Sequence, residues 1–243
     1  MFLQLKRYGN LPTGKCIVTH TQSINFFVEF VLIVIMENIN TRENWNRYHK
    51  NYKELNYADK FKFISRELLN LPNGSRVLEL GCGRGLLLEQ IKTDHPTFIL
   101  KGMDFSSIAV EETRERGINA EIGILPDYLK IKNLKEWNAV IGTELLEHFP
   151  EDERLEVIKN VYKILLKGGK AIFTVPDNIL SPFEEPSHFV CYNKKTFRDF
   201  LKQVFPIGGV ISRKFLVSDI PHPNPKKKWG VCPFLFGTGY KDG

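Results

Sequence analysis

The chain contains short, mainly apolar runs that alternate with longer segments of mixed polarity. Four of these runs are predicted to be strands, and they lie at 76–80, 97–104, 137–143 and 170–176. Runs that are apolar throughout, and not only at every second position, are typical of strands buried on both faces of a parallel sheet. A weaker strand is predicted at 120–124, and a late strand or hairpin at 208–219.

The segments between the strands carry apolar residues at helical spacing. They predict helices over 41–71, 86–92, 106–117, 151–169 and 194–205. Ser106 or Ser107 can cap the third of these helices, and the glycine pair Gly168–Gly169 is expected to end the fourth. Strands and helices that alternate at short spacing predict an open parallel sheet covered by helices on both faces. Such sheets bind ligands beyond the carboxyl ends of their strands, so the loops there are the candidate site.

The loop after the first predicted strand holds three alternating glycines, Gly81, Gly83 and Gly85, just before a helix. Glycine lets the main chain approach a ligand closely, and a helix N-terminus offers free N–H groups. A tight turn without a ligand is the alternative interpretation, although one glycine would suffice for that turn. The spacing GxGxG differs from the dinucleotide pattern GxGxxG, and the loop lacks the Gly-Lys-Ser/Thr of a Walker loop.

Two acids near this loop narrow the choice of ligand. Glu79, two residues before the first glycine, would repel a phosphate but would suit a cationic group. Asp104 ends the second strand about 20 residues further on, where a carboxylate can accept hydrogen bonds from the hydroxyls of a ribose. A nucleoside with a positive centre and no phosphate fits both acids, and S-adenosylmethionine is such a molecule.

Four segments resemble motifs of the class I S-adenosylmethionine-dependent methyltransferases. In chain order they are VLELGCGRG (77–85), DFS (104–106), AVIGTELLEH (139–148) and LLKGGK (165–170). The similarity covers about residues 40–205, and the chain most resembles the small-molecule branch that includes ubiquinone-biosynthesis O-methyltransferases. The resemblance implies an α/β fold: a Rossmann-like, doubly wound, mostly parallel seven-stranded sheet with helices on both faces.

The resemblance also implies which residues bind the cofactor. They are Glu79, Gly81, Cys82, Gly83, Gly85, Asp104, Phe105, Gly123, Ile124, Thr143 and Glu144. Within this set Asp104 is expected to hold the ribose and Phe105 to flank the adenine. Many relatives carry an aspartate after the third strand, where this chain has Gly123 and Ile124. Adenine recognition at that point is therefore expected to use main-chain groups.

His148 follows the fourth strand and is predicted to lie near the transferred methyl group. If the acceptor is a hydroxyl, His148 is the expected general base, and Glu147 or Glu144 is expected to orient it. In the alternative interpretation, Glu147 and His148 only shape the start of a helix.

Glu144, Glu147 and His148 stand at i, i+3 and i+4, so on a helix they would share one face and could bind a cation together. Two carboxylates and one imidazole suit Mg²⁺ or Mn²⁺ better than structural zinc, and His188 could add a fourth ligand. A resembling ExxEH metal cluster occurs in quinone-pathway enzymes and in small-RNA 3′-terminal 2′-O-methyltransferases. Because the LEH segment is common in this fold without a metal, no metal ligand is assigned, and Mg²⁺ stays an alternative cofactor.

Three further segments bear on the acceptor. Residues 177–193, rich in proline and aromatic residues, are expected to form an acceptor wall or lid. Trp45 and Tyr48 either close the site from the other side or belong to the core. The tail 221–236, with three lysines beside a tryptophan, is expected to be a solvated end. The alternative for this tail is a surface that attracts an anionic substrate, a membrane or RNA.

The distribution of charge argues against a polyanionic partner. Of the formal net charge of +6, residues 1–35 contribute +2 and residues 213–243 contribute +4, so residues 36–212 sum to zero. A body without excess positive charge does not favour nucleic acid as a partner. The resemblance to the small-molecule branch makes O-methylation of a small molecule the favoured function. The alternatives are an RNA 2′-O-methyltransferase with a metal-assisted site and a non-catalytic, methyltransferase-like binding protein.

The first residues of the chain differ in character from the rest. The apolar run 24–35 has twelve residues and includes Glu29, so it is shorter than the roughly 20 residues of a membrane-spanning helix. We expect residues 1–35 to be an N-terminal extension outside the working domain, and residues 36–243 to form one class I methyltransferase domain. The short apolar run also means that no transmembrane segment is predicted. The four cysteines lie far apart without a CxxC pair, which is typical of a reducing compartment, so a cytoplasmic location is predicted.

Overall fold

A computed structural model describes residues 40–51, 57–131, 137–182, 184–216 and 231–242. Its α-helices are α1 (Arg42–Asn51), α2 (Ala58–Arg66), α3 (Leu86–Asp94), α4 (Ser107–Glu115), α5 (Asp127–Ile131), α6 (Glu151–Ile164) and α7 (Lys194–Leu201). Its strands are β1 (Arg76–Leu80), β2 (Ile99–Asp104), β3 (Asn119–Ile122), β4 (Trp137–Thr143), β5 (Leu165–Pro176), β6 (Ile207–Leu216) and β7 (Val231–Tyr240). The predicted extension at 1–35 lies outside the described residues.

The seven strands form one sheet in the order β3-β2-β1-β4-β5-β7-β6. The first five pair in parallel, whereas β7 is antiparallel to both β5 and β6. The predicted doubly wound, mostly parallel sheet is confirmed. The strand order reverses between β1 and β4, so a crevice opens there at the carboxyl ends of the strands.

Helices cover both faces of the sheet because neighbouring residues of each central strand point to opposite sides. On β4, Val140 packs in a core with Val157 of α6 and Phe197 of α7. The next residue, Ile141, packs in a second core with Ile64 of α2. These two cores explain why the central strands are mainly apolar on both faces. No helix in the described part of the chain has the length and apolar character needed to cross a membrane.

The predicted helix 151–169 is wrong at its C-terminal end. Helix α6 stops at Ile164, and β5 begins at Leu165, before the glycine pair. Gly168, with a φ of 72°, lies inside β5, and main-chain hydrogen bonds join the pair to Lys241. The pairing of β5 with β4 also shifts register here. The glycines therefore form an irregularity within a strand, and they do not end a helix.

Two other predictions are corrected at the ends of the chain. In place of one helix over 41–71, the structure has two helices, α1 and α2, and α2 ends at Arg66. Residues 52–56 lie outside the described part. The tail 221–236 is not a solvated end throughout, because from Val231 it forms β7 between β5 and β6. Phe234, Leu235 and Phe236 of this strand are buried. The three lysines of the tail lie outside the described residues.

Strand β7 packs closely beneath α7 at a glycine. A Cβ on Gly237 would lie 2.8 Å from Cε1 of Phe197 and would also clash with Leu201. We expect Gly237→Ala to lower the free energy of unfolding by about 1–3 kcal/mol, because added volume in a close-packed core causes strain. Gly209→Ala on the neighbouring strand is the control, since no atom lies within 4 Å of its added Cβ. Urea denaturation of both variants measures the difference, and equal stability would refute the close packing of β7 under α7.

Candidate active site

A cavity of about 910 Å³ lies at the carboxyl ends of the parallel strands. Its wall combines the loops after β1, β2, β3 and β4 with the segment after β5, and adds residues of α1 and α2 and Phe234 of β7. Small-molecule pockets have volumes of about 300–1,000 Å³. The cavity is therefore large enough for a nucleoside and a second small molecule together.

The glycine loop forms one wall of this cavity. Gly81 and Gly83 have φ values of 67° and 51°, which is the left-handed region that favours glycine. A Cβ on Gly81 would lie 2.9 Å from Cδ1 of Leu145. Gly85 was predicted to bind the cofactor but does not line the cavity. Its added Cβ would instead meet Thr113 at 2.8 Å, so Gly85 allows the start of α3 to pack against α4.

Asp104 joins the glycine loop to the end of β2. Its Oδ2 accepts a hydrogen bond from the main-chain N–H of Gly83 at 2.9 Å, and its Oδ1 accepts one from the N–H of Ser106 at 2.8 Å. Asp104 is buried and lies in the cavity wall. The Ser106 hydroxyl also accepts from the N–H of Ala109 at 3.2 Å, which confirms Ser106 as the N-cap of α4. Both carboxylate oxygens are thus fixed in orientation by the main chain.

Glu79 is a buried acid at the end of β1. Its Oε1 accepts a hydrogen bond from the Thr143 hydroxyl at 3.4 Å, but its Oε2 has no partner among the described residues. Burial raises the pKa of this carboxyl well above its usual range, and the nearby Asp104 raises it further. An unpaired buried carboxyl is unfavourable, so a ligand that offers a donor or a positive charge would stabilise it.

Helix α1 lines part of the cavity and contacts residues after both β2 and β4. On the β2 side, Asn46 accepts a hydrogen bond from the Ser106 hydroxyl at 2.6 Å. On the β4 side, the Trp45 ring packs edge-on against His148, with ring centroids 5.1 Å apart. The side-chain amide of Asn40 donates to the carbonyl oxygen of His148 at 3.3 Å. Trp45 and Tyr48 line the cavity, as one of the two interpretations of the sequence anticipated.

The structure brings Glu147, His148 and His188 together at the other end of the cavity. One polar atom of each lies within 4.8 Å of the others. Nδ1 of His148 faces the carbonyl oxygen of Ser187 at 3.0 Å, and Nδ1 of His188 faces that of Leu180 at 2.7 Å. A carbonyl only accepts, so each Nδ1 carries the hydrogen and each Nε2 keeps its lone pair.

Burial keeps both imidazoles of this cluster neutral. Burial, together with the neighbouring His188, lowers the pKa of His148 to about 3. Burial likewise lowers the pKa of His188. For Glu147, burial and the charge of Glu144 raise the pKa well above its usual range. Both imidazoles are therefore neutral at pH 7.

Glu144 does not belong to the cluster, so the prediction of a shared helix face is wrong. Glu144 lies before the single 3₁₀ turn Leu146–His148, and its φ of 48° is not that of a right-handed helix. Its carboxylate instead pairs with Nζ of Lys60 at 3.0 Å and accepts from the Thr174 hydroxyl at 2.8 Å. The cluster thus offers one carboxylate and two imidazoles. That set does not suit Mg²⁺, which prefers oxygen ligands, so no step is assigned to Mg²⁺.

The remaining predicted cofactor residues lie in the cavity wall, but some of their main-chain groups are already hydrogen-bonded. They are Cys82, Phe105, Gly123, Ile124 and Thr143. The N–H of Gly123 already donates to the carbonyl oxygen of Asp104 at 2.9 Å, so it is not available for an adenine. The carbonyl oxygen of Ile124 accepts from the N–H of Tyr128 at 2.7 Å, so main-chain recognition of an adenine would use the N–H of Ile124 or the carbonyl of Gly123.

Several cavity residues were not singled out from the sequence. They are His49, Tyr57, Lys60 and Phe234. His49 lies over the glycine loop, 3.6 Å from where a Cβ of Gly83 would be. Lys60 comes from α2, Tyr57 directly precedes that helix, and Phe234 comes from β7. No local signal marks these residues, because only the packing of distant elements brings them to the cavity.

Comparison with known proteins fits this geometry. Residues 48–205 match the model of a family described as a methyltransferase domain. The chain belongs to this family. Its fold and its glycine loop are therefore those of an S-adenosylmethionine-dependent methyltransferase domain.

Two curated relatives show how far the likeness of this methyltransferase domain extends. A trans-aconitate 2-methyltransferase of Mycobacterium ulcerans is 32% identical over 155 residues, which are 62% of this chain and 55% of the relative. A ubiquinone biosynthesis O-methyltransferase of Coxiella burnetii is 29% identical over 119 residues, or 47% of this chain and 48% of the relative. The chain therefore spans about half the length of the curated relatives it matches.

One solved structure illustrates the shared fold. Phosphoethanolamine N-methyltransferase 2 of Haemonchus contortus, in complex with phosphomonomethylethanolamine and S-adenosylhomocysteine, superposes with a TM-score of 0.60. The match covers 84% of this chain and 59% of that chain, at 13% identity. At this identity the likeness shows the fold alone.

The ion pair between Lys60 and Glu144 is expected to stabilise the methyltransferase domain. Lys60 is 1% exposed, whereas Glu144 is 25% exposed. Lys60→Met leaves the partly buried carboxylate unpaired and should lower the free energy of unfolding by about 2 kcal/mol. Lys195→Met, which removes an exposed pair with Asp199, is the control and should change it by less than about 0.5 kcal/mol. Chemical denaturation measures both, and a Lys60→Met effect as small as the control would rule out a stabilising ion pair.

Proposed function

We propose that this chain transfers a methyl group from S-adenosylmethionine to a hydroxyl of a small molecule. One observation carries the proposal: a single cavity joins the Asp104 carboxylate and the glycine loop to the unprotonated Nε2 of His148. We also propose that the working domain spans residues 36–243, with residues 1–35 outside it. A cytoplasmic location stays a prediction.

The cofactor half of the cavity suits a nucleoside without phosphates. The cation within the glycine loop, Arg84, pairs with Glu112 at 3.1 Å and donates to the carbonyl oxygen of His49. It is therefore not free to bind a phosphate. The carboxyl groups of Glu79 and Asp104 supply acceptors, which would bind an ammonium and ribose hydroxyls and would repel phosphate.

S-adenosylmethionine, when bound, supplies an electrophilic methyl group. The residues of this chain would orient the acceptor, exclude water and remove its proton. Trp45 and Tyr48 of α1, which line the cavity, would limit the entry of water. Nε2 of His148 is the proposed proton acceptor, and the hydrogen bond from its Nδ1 to the carbonyl of Ser187 fixes the tautomer.

The low pKa of His148 determines when the proton can move. A base with a pKa of about 3 does not ionise a free hydroxyl. A hydroxyl whose oxygen is gaining a methyl group becomes far more acidic, because positive charge develops on that oxygen. His148 would therefore accept the proton during or after methyl transfer, not before it. Glu147, next to His148, would stabilise the resulting imidazolium if it is ionised.

The surroundings of His148 support a small acceptor. The segment after β5, proposed as an acceptor wall, contributes Ile179, Leu180 and Phe189 to the cavity. Both curated relatives carry names that refer to small molecules, trans-aconitate in one and ubiquinone biosynthesis in the other. An RNA acceptor is less suited, because the carboxyl groups of the cavity would repel its phosphates. A non-catalytic binding role would leave the unpaired acceptor atom of His148 without a purpose.

Asp104→Asn tests the cofactor half. Its amide would place a donor against one of the two main-chain N–H groups, and it would remove the charge that binds ribose hydroxyls. We expect the affinity for S-adenosylhomocysteine, measured by calorimetry, to fall at least about tenfold. Asp127→Asn, at an exposed acid outside the cavity, should leave it unchanged. Equal affinities for the two variants would remove Asp104 from the cofactor site.

His148→Ala tests the acceptor half. We expect kcat for methyl transfer to fall by about 100-fold or more, because a positioned base contributes that much or more. The affinity for S-adenosylhomocysteine should stay within about twofold, since His148 lies at the other end of the cavity. His95→Ala is the control, because this histidine stacks on Phe98 away from the site. Transfer at the wild-type rate in His148→Ala would refute the role of base.

A further inference from the structure

The acceptor half of the cavity has an excess of acid. Among the described residues that line it, the carboxyl groups belong to Glu144, Glu147, Glu153 and Glu185. The only side-chain cation lining this half in the described part of the chain is Lys60, since Arg84 lies beside the glycine loop. The wall therefore favours a positively charged acceptor over a negatively charged one.

Lys60 is not available to bind an anionic acceptor. Its Nζ pairs with Glu144 at 3.0 Å and lies over two aromatic rings, 4.2 Å from the centroid of Phe234 and 4.7 Å from that of Tyr57. The side chain is almost fully buried by these contacts. To meet a substrate carboxylate, Lys60 would have to give up a charge partner and two cation–π contacts.

Glu147 is the acid that lacks a partner. It is 1% exposed, lines the cavity, and neither of its side-chain oxygens has a hydrogen-bond partner in the described structure. A buried carboxyl without a donor is unfavourable, and most such groups in folded proteins are paired. The missing partner must come from outside this set of residues, and a ligand cation would provide both charge and donors.

The two imidazoles beside Glu147 also offer acceptors. His148 and His188 use their Nδ1 hydrogens on main-chain carbonyls, so the Nε2 atoms of both face ligands as acceptors. Polar atoms of the three residues lie within 4.8 Å of one another. A complementary ligand must therefore bring a hydrogen-bond donor to each of these atoms, as a hydroxyl and an ammonium group do.

We propose that the methyl acceptor carries a protonated amino group close to its hydroxyl, with the ammonium bound by Glu147 and His188 and the hydroxyl by His148. This inference rests on the proposed function and names the class of acceptor. It excludes polyanionic acceptors, including the tricarboxylate in the name of one curated relative. The aromatic rings of Trp45 and Tyr48, which also line the cavity, would favour a cation over a neutral group.

Three phenols with different neighbouring groups test the proposal. 2-Hydroxybenzylamine, 2-hydroxybenzyl alcohol and 2-hydroxybenzoate share one hydroxyl and carry a positive, a neutral and a negative group next to it. Each is titrated by calorimetry into the full chain saturated with S-adenosylhomocysteine. We expect the amine to bind at least tenfold more tightly than the benzoate, with the alcohol in between. Equal affinities, the reverse order or no binding of any probe would overturn the proposal.

Glu147→Gln identifies the group responsible for the preference. It keeps the shape of the side chain but cannot form a carboxylate against the ammonium, so the advantage of the amine over the alcohol should fall below threefold. The affinity for the alcohol should change little. Glu111→Gln, at an exposed acid of α4 that does not line the cavity, changes the net charge equally and should keep the full preference. An unchanged preference in Glu147→Gln would overturn the assignment.

The same titrations separate this inference from the function on which it rests. If S-adenosylhomocysteine binds but the order of the probes fails, only the class of acceptor is wrong. If S-adenosylhomocysteine itself does not bind, the proposed function fails, and the acceptor class fails with it. If the probes bind only after zinc is added, and EDTA abolishes their binding, the cluster holds a metal and the proposed ammonium site is wrong.

Discussion

The paired hydrogen bonds from Gly83 and Ser106 to Asp104 hold the site together. They tie the loop after β1 to the end of β2, two elements that the chain separates by a whole helix. The left-handed backbone at Gly83 belongs to the turn that carries this N–H to the carboxylate. Because each oxygen of Asp104 accepts one main-chain N–H, its remaining lone pairs have fixed directions in the cavity wall. The proposed ribose site depends on this arrangement.

The cavity combines this rigid wall with polar groups that the protein itself leaves unsatisfied. Glu79 and Glu147 are both buried, and each has at least one oxygen without a partner in the described structure. Unpaired buried polar groups typically cost about 1–3 kcal/mol each. Departures of this kind from the rules of stable folding are expected at functional sites. Glu79 of β1 and Glu147 of the 3₁₀ turn after β4 line one cavity, as expected for adjacent cofactor and acceptor sites.

Local patterns in the sequence predicted the parts of the molecule that local chemistry determines. The parallel strands, the glycine loop and the Ser106 cap follow from residues close together in the chain. Pairing and packing over long distances were not predictable. Phe234 reaches the cavity only because β7 inserts between β5 and β6, and Lys60 only because α2 packs under the sheet. Helical spacing wrongly placed Glu144 on one face with Glu147 and His148. Glu144 has a left-handed backbone conformation and lies before the 3₁₀ turn that holds the other two residues.

A crystal structure of the chain with S-adenosylhomocysteine examines the proposed site most directly. Both ribose hydroxyls should lie within about 2.7–3.2 Å of the Asp104 carboxylate, with the sulfur directed toward His148. A nucleoside bound elsewhere, or an Asp104 side chain turned away from the cavity, would leave the fold in place but would show that the site is wrongly assigned.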